Sequence, residues 1–204
     1  MKFIETIEHL EKVYSAPSGA SIIKVCSKLT PGHRSWVEHS KLCILSTVGP
    51  EGTDASPRGD EEPVARILDD ETLAIPDWRG NNRIDSLRNI VRDKRVSLMF
   101  FVGGSNNVIR VNGHAYVTIE REVIQKLSRK DASPRSVIIV KIGEVYSQCA
   151  RALIRANHWN ERPDLTTLPT IGELLKEAAN GDFDAQTYDK EWTARAAKTM
   201  WSAE

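Results

Sequence analysis

The feature that most constrains this chain is a series of short apolar runs, separated by turn residues, in its middle. The runs are rich in β-branched and aromatic residues, which favour strands. Strands joined by short turns, with only occasional helices, indicate an antiparallel sheet rather than repeated βαβ units. Closing such a sheet into a small barrel removes exposed edges. The predicted strands are 41–48, 64–68, 72–75, 95–102, 107–119 and 136–145.

Helical patterns surround these strands. Apolar residues recur at helical spacing through the first 30 residues, and Pro31-Gly32 is predicted to end the second helix there. We expect one structural domain, with N-terminal helices (1–35) packing on a barrel (36–160) and a C-terminal helical tail (161–204). Further helices are predicted at 82–92, 120–127, 149–159, 170–180 and 184–201.

The tail carries large side chains at roughly one-turn spacing, namely Tyr188, Trp192 and Met200. A stripe of this kind is typical of a packing face against the barrel or against a partner subunit. A ligand-binding surface is the alternative interpretation.

Charge and composition exclude several function classes. The 28 basic residues equal the 28 acidic ones, which argues against binding to nucleic acid and against a polybasic membrane anchor. No segment approaches the ~18 consecutive apolar residues of a membrane span, and acidic residues stand near the N-terminus where a signal peptide is apolar. The three cysteines (Cys26, Cys43 and Cys149) are irregularly spaced, which is typical of reduced thiols. We therefore expect a cytoplasmic protein.

Several common sites have no sequence signature here. The five histidines are scattered without zinc-ligand spacing, so we expect no metal site. The chain has no Gly-x-Ser-x-Gly nucleophile motif and no Cys-x-x-Cys pair. Gly103-Gly104 lacks the Gly-Lys-Ser/Thr of a phosphate loop and is interpreted as a hairpin turn. The sequence therefore assigns no catalytic side chain.

Two polar clusters, 54–60 and 75–90, combine arginines with small and hydrogen-bonding residues. Asn82 is a predicted N-cap, which places Arg83 and Ser86 in the first turn of a helix. Unpaired N–H groups and the helix dipole favour an anion there, and arginine binds phosphate oxygens through two donors. From these residues alone, a phosphate site and a capped helix with solvated arginines are both open.

The two clusters resemble the FMN-binding split-barrel flavoproteins of the pyridoxamine 5′-phosphate oxidase-like group, and more narrowly a bacterial subfamily of that group. The resemblance runs from about Trp36 to about Trp159, and it is the order and spacing of the motifs that make it specific. The motifs that carry it are Ser56 to Asp60, Leu73 to Asp77, Gly80-Asn81, Arg83 to Ile90 and Arg110 to Gly113.

The resemblance implies a mainly β fold with peripheral helices: a six-stranded antiparallel split β-barrel with helical decoration at both ends. It also implies a homodimer that holds FMN in grooves at the subunit interface. Arg83 and Ser86, with Asn82 nearby, would then hold the phosphate of FMN. Arg58 and Gly59 would line the flavin.

The resemblance further implies that Asp77 closes this groove. Arg110 and Val111 would approach the isoalloxazine ring or its partner-chain side, and Ser56 completes the predicted cofactor-binding set. The chain lacks the C-terminal substrate signature of true pyridoxamine phosphate oxidases, so oxidation of a vitamin B6 phosphate is not expected from it.

Two functions are compatible with this resemblance. The first is an FMN-dependent oxidoreductase acting on a small molecule, in which the flavin carries the chemistry and no side-chain acid or base is obligatory. The second is a non-catalytic flavin carrier or sensor, or a dimeric binding module on the same barrel. The tail aromatics Tyr188, Trp192 and Trp201 motivate the second, as a surface that recruits a partner.

Overall fold

One antiparallel sheet of seven strands organises the protein. The computed structural model describes residues 1–129 and 132–199. Met200 and Trp201, which belong to the predicted tail aromatics and stripe, lie outside the described residues. Hydrogen bonding arranges the strands in the order β2-β1-β5-β6-β7-β4-β3. The strands are β1 (Leu42–Gly49), β2 (Gly52–Gly59), β3 (Arg66–Asp69), β4 (Thr72–Asp77), β5 (Arg95–Phe101), β6 (Val108–Thr118) and β7 (Ser136–Gln148).

The mainly β, antiparallel prediction is confirmed, but the count of six strands is wrong. The additional strand is β2, whose sequence Gly-Thr-Asp-Ala-Ser-Pro-Arg-Gly is poor in strand-forming residues. It pairs with β1 over its whole length, from Gly52↔Gly49 to Gly59↔Leu42. Because β2 is an edge strand, Pro57 is tolerated there. Pairing with β1 therefore makes this segment a strand, although its residues have a weak intrinsic preference for strand conformation.

The main core lies on one face of the sheet, and a smaller cluster lies on the opposite face of β4 and β7. Side chains alternate along β1 and β5, so Leu45, Leu98 and Phe100 are fully buried while their neighbours face outward. Leu73 of β4 and Val140 of β7 belong to the same cluster. Both halves of the sheet therefore fold around one core.

An ion pair shows that the sheet is rolled up. In a flat sheet, β2 and β4 would lie five strand spacings apart, about 24 Å. Arg58 of β2 and Asp77 of β4 are nevertheless joined at 2.5 Å (Nη1 to Oδ1). We call the line where β2 meets β4 the seam of the barrel.

The N-terminal region contains three helices, α1 (Ile7–Glu11), α2 (Gly19–Ile23) and α3 (Pro31–His39). The prediction that Pro31 ends a helix is wrong, because α3 begins there. Thr30 caps α3: its hydroxyl accepts from the His33 amide at 3.3 Å, and proline suits the first helical position. Helix α3 buries Val37, whereas α1 and α2 bury no residue.

In the ranges that the structure describes, three α-helices lie between or directly after the strands, and three more form the tail. The former are α4 (Asp85–Arg92), α5 (Arg121–Leu127) and α6 (Arg151–Arg155). The latter are α7 (Ile171–Ala178), α8 (Ala185–Lys190) and α9 (Trp192–Thr199). The predicted helix 184–201 is thus divided in two. Within the described part of the chain, no helix is long and apolar enough to cross a membrane.

The tail is held together by polar contacts. Asp189 accepts hydrogen bonds from the Thr170 hydroxyl at 2.5 Å and from the Gly172 amide at 2.9 Å, which joins α8 to α7. Tyr188 contacts Phe183 and the guanidinium of Arg195. These side chains pack within the tail itself.

Candidate functional site

A cleft of about 260 Å³ opens at the seam of the barrel. The end of β2, the end of β4 and the segment before α4 form its walls. It gathers five of the nine predicted cofactor-binding residues: Ser56, Arg58, Asp77, Asn82 and Arg83. The two polar clusters, separated in sequence by the 14 residues 61–74, therefore contribute to one site.

Arg58 and Asp77 form the inner wall of the cleft. Their side chains are only 22% and 16% exposed, and the Nη1–Oδ1 contact is a charge-assisted hydrogen bond. The buried Nε of Arg58 has no hydrogen-bond partner in the described part of the chain. A buried donor without a partner is costly, so this wall offers a site for an acceptor from a ligand.

Cys43 lies across the strand pair from Arg58. Burial raises the pKa of its thiol to about 12, although the charge of Arg58 acts in the opposite direction. The thiol is therefore protonated at neutral pH, so Cys43 is not a thiolate nucleophile there.

Arg83 lies at the mouth of the cleft, where its side chain is 80% exposed. Its Nε donates to Asp85 at 2.5 Å, and this hydrogen bond is the main reason that the pKa of Arg83 is raised. The predicted N-cap at Asn82 is wrong, because α4 begins three residues later with Ile84 at its cap. Asn82 instead has a left-handed backbone (φ 62°) and accepts from Arg135 at 2.5 Å.

Ser86 is in the first turn of α4, as predicted, but it is buried and faces β2. Its hydroxyl donates to Asp54 at 2.5 Å. Asp54 lines a neighbouring cavity of about 440 Å³ together with Arg83, Asp85 and Arg88. Arg83 lines both cavities.

The structure does not bring the remaining predicted residues to the cleft. Gly59 lines a separate cavity of about 170 Å³ beside Arg58. Arg110, on the outer face of β6, lies 5.3 Å from the Tyr146 ring, and its buried Nε has no partner in the described residues. The Val111 side chain is fully buried in the core. Cofactor contact by these three residues stays a prediction.

Among the lining residues that were not predicted as site residues, Arg135 adds a positive charge to the cleft and Trp78 adds an aromatic ring. Arg135 directly precedes β7 in a stretch without a recognisable motif, and it reaches the cleft because its backbone N–H donates to Asp77 O at 2.9 Å. Trp78 follows β4 inside the second polar cluster, so its position was visible in the sequence. Trp78 could therefore have been predicted as a site residue, because it is an aromatic residue close in sequence to the residues predicted to bind phosphate.

Charge and shape together define what the cleft can bind. Three arginines line it (Arg58, Arg83 and Arg135), and Asp77 is the only carboxylate among the described lining residues. The carboxylate that pairs with Arg83, Asp85, lies outside this lining. Trp78 and Leu87 add apolar surface. A small concave site with convergent cations and an apolar wall suits a ligand that carries both an anion and a ring. The fold and the site define a split-barrel protein with an arginine-lined cleft at its seam.

The sequence of the barrel identifies the family. The model of the pyridoxamine 5′-phosphate oxidase family matches residues 29–149, which is more than half of the chain. The chain therefore belongs to this family. A search of curated proteins finds no match.

Solved structures with similar folds come from several sources. HupZ of Group A Streptococcus is 17% identical, with a TM-score of 0.48, covering 58% of this chain and 93% of its own. An FMN-binding protein of Syntrophomonas wolfei is 15% identical, with a TM-score of 0.44 and coverages of 70% and 97%. An F420 reductase is 16% identical, with a TM-score of 0.42 and coverages of 59% and 98%.

Proposed function

We propose that this protein binds FMN in the cleft at the seam and uses it to oxidise or reduce a small molecule. The observation that carries the proposal is the grouping of Arg58, Arg83 and Arg135 around one small cleft, in which Asp77 is the only carboxylate that the structure describes. Such a charge excess complements a phosphate. Membership of the pyridoxamine 5′-phosphate oxidase family supports the same ligand.

The residues of the cleft fit the chemical parts of FMN. Arg83 is exposed and adjoins the first turn of α4, whose N–H groups and dipole favour an anion, so we assign it to the phosphate. The unpartnered Nε of Arg58 lies deeper, where it can donate to a polar atom of the flavin. Bound FMN supplies the hydride or electron transfer, and the protein supplies binding, orientation and charge.

A homodimer completes this proposal. The outer face of the sheet carries Leu42, which is 40% exposed, beside its cross-strand neighbour Phe101. The half-buried side chains of Ile44, Met99 and Arg110 continue the same face along neighbouring strands. An apolar face that adjoins a buried arginine donor without a partner in the described residues is suited to contact with a second copy and with the FMN held between the copies.

Flavin titration of purified protein tests the proposal. We expect about one FMN per chain, with an absorbance spectrum altered by binding, and a mass by light scattering of about twice 22.8 kDa. Arg83→Ala should weaken binding about 10- to 100-fold, because a hydrogen bond to a charged group contributes about 1.5–3 kcal/mol. Arg95→Ala is the matched control: Arg95 is also exposed and bonded through Nε to an aspartate two residues away, but outside the cleft.

The outcomes separate the candidate functions. Failure of the wild-type protein to bind FMN overturns the proposal, and equal weakening by both substitutions removes Arg83 from the phosphate role. Steady turnover of the FMN-loaded protein with NADH or NADPH and an electron acceptor supports an oxidoreductase. Binding without turnover against any donor favours the flavin carrier or sensor.

A further inference from the structure

A buried carboxylate joins three loops beside the cleft. Asp60, which follows β2, has a side chain only 2% exposed. Arg129, from the loop after α5, donates to it twice, with Nη1 at 2.7 Å from Oδ1 and Nη2 at 3.0 Å from Oδ2. The Trp78 Nε1, from the loop after β4, donates to Oδ2 at 3.1 Å, and the Glu62 amide donates to Oδ1 at 3.2 Å. A carboxylate accepts about four hydrogen bonds, so Asp60 is saturated.

This cluster fixes the orientation of one indole ring. The Arg129 guanidinium lies 5.4 Å from the centre of the Trp78 ring, within the range of a cation–π contact. The N–H of the same ring is held by Asp60. The ring is therefore held both at its edge and through its π-system.

Stability alone does not account for this arrangement. Burying an ion pair costs desolvation that roughly offsets the attraction, so such a pair is weak evidence for stability. The Asp60–Arg129 pair is 2% and 11% exposed and makes two parallel hydrogen bonds. Its specific effect is geometric: it places Trp78 at a defined position on the seam.

That position is a wall of the proposed flavin site. Trp78 lines the 260 Å³ cleft with Arg58 and Asp77, and it also lines the 170 Å³ cavity with Gly59 and Pro76. The indole therefore lies between the two spaces. In the larger one, Trp78 lines the same volume as the three arginines.

We propose that Trp78 contacts the ring system of the bound flavin, and that Asp60 and Arg129 are positioning residues that hold the indole for this contact. The inference rests on the proposed function, since it assigns the ring-contacting wall of the same cleft. It explains why a saturated buried carboxylate lies directly behind the cleft. It also divides the site into an arginine side for the anion and a tryptophan side for the ring.

Emission of bound FMN tests the contact directly. An indole in contact with a flavin ring quenches flavin fluorescence by transferring an electron to the excited state, whereas a phenylalanine does not. Trp78→Phe should therefore raise the emission of bound FMN several-fold, while binding weakens by no more than about tenfold. Trp159→Phe is the matched control, because its indole also makes one hydrogen bond, to Ser105 O at 2.8 Å, away from the cleft.

The positioning role has its own readout. Arg129→Lys keeps the charge but loses the two-donor geometry, so the protein should still bind FMN with higher emission than the wild type. Asp60→Asn should behave in the same way. If one of them fails to fold, as judged by circular dichroism, the other carries the test.

The results distinguish this inference from the proposed function. If the wild type binds FMN and Trp78→Phe leaves its emission unchanged, the contact is refuted while flavin binding stands. If both positioning variants bind FMN with wild-type emission, Asp60 and Arg129 have only a structural role. If the wild type binds no FMN, both the proposed function and this contact are refuted.

Discussion

The barrel and the C-terminal tail are built on different physical principles. The barrel buries large side chains such as Phe100, Leu98 and Val140 completely. In the described part of the tail helices, the buried residues are Gly172 and Ala185, while Trp192 is 57% exposed. Hydrophobic burial therefore stabilises the barrel, whereas capping and side-chain hydrogen bonds shape the tail.

This difference shows which elements can be predicted from neighbouring residues alone. The tail helices α7 and α8 have signals beside them in the sequence, namely the capping box of Thr170 and Glu173 and the Asp184 cap. A barrel strand has no such local signal for its partner, because the partner is defined by long-range pairing. We expect the two regions to respond independently to mutation.

Removing a core side chain should produce the largest effect. Phe100→Ala should lower the free energy of unfolding of the barrel by about 3–5 kcal/mol, because it removes a fully buried ring and leaves a cavity. Urea denaturation followed by circular dichroism measures this change. Phe3→Ala is the control, since Phe3 is 72% exposed and should shift stability by no more than about 0.5 kcal/mol. Equal losses of unfolding free energy from Phe100→Ala and Phe3→Ala would contradict the conclusion that hydrophobic burial stabilises the barrel.

A smaller and local effect is expected in the tail. A Cβ at Gly172 would lie 2.5 Å from the Ala185 carbonyl oxygen and 2.6 Å from an Asp189 oxygen. Gly172→Ala should therefore destabilise the contact between α7 and α8 by about 1–3 kcal/mol. Hydrogen exchange should accelerate in 170–190 and stay unchanged in β5 and β6. Accelerated exchange in the strands would show that the tail and the barrel unfold together.

A matched substitution sharpens this prediction. Gly19, the first residue of α2, has open space where a methyl group would lie, with no atom within 4 Å of that position. Gly19→Ala should therefore be neutral or slightly stabilising. A comparable loss from both glycines would mean that the close approach at Gly172 is unimportant.

The smallest expected effect concerns only the chemical reactivity of the cysteine thiols. Cys149, after β7, is exposed, whereas Cys43 of β1 is buried with a thiol pKa raised to about 12. At a mildly alkaline pH, a thiol reagent should modify Cys149 rapidly and Cys43 only when the barrel opens. Cys149→Ser should remove the fast phase. Rapid modification of Cys43 in the native protein would contradict its burial.

The same pKa shift gives a pH dependence with a definite sign. Above pH 9, the unfolded thiol of Cys43 ionises while the native thiol keeps its proton until about pH 12. The unfolded state is therefore favoured progressively as the pH rises through this window. Below this window the group causes no change in stability.

Much of the fold could be predicted from sequence patterns. The runs at 41–48 and 95–102 correspond to β1 and β5, and the helix predicted at 120–127 corresponds to α5. The strand β2 could not be recognised, because its glycines and proline are poor strand formers. The start of α4 was placed too early, because Asn82 is a good cap in isolation but is drawn into a left-handed conformation beside Arg135.

The candidate site was only partly predictable for a related reason. The sequence by itself determined the alternation that buries one face of each strand, the capped helices and the two arginine-containing clusters, since these depend on neighbouring residues. Only the tertiary structure decided that Arg58 meets Asp77 and that Arg129 reaches Asp60. These pairs form because rolling the sheet brings its β2 edge against β4, and the free energy for rolling comes from the shared core rather than from either cluster.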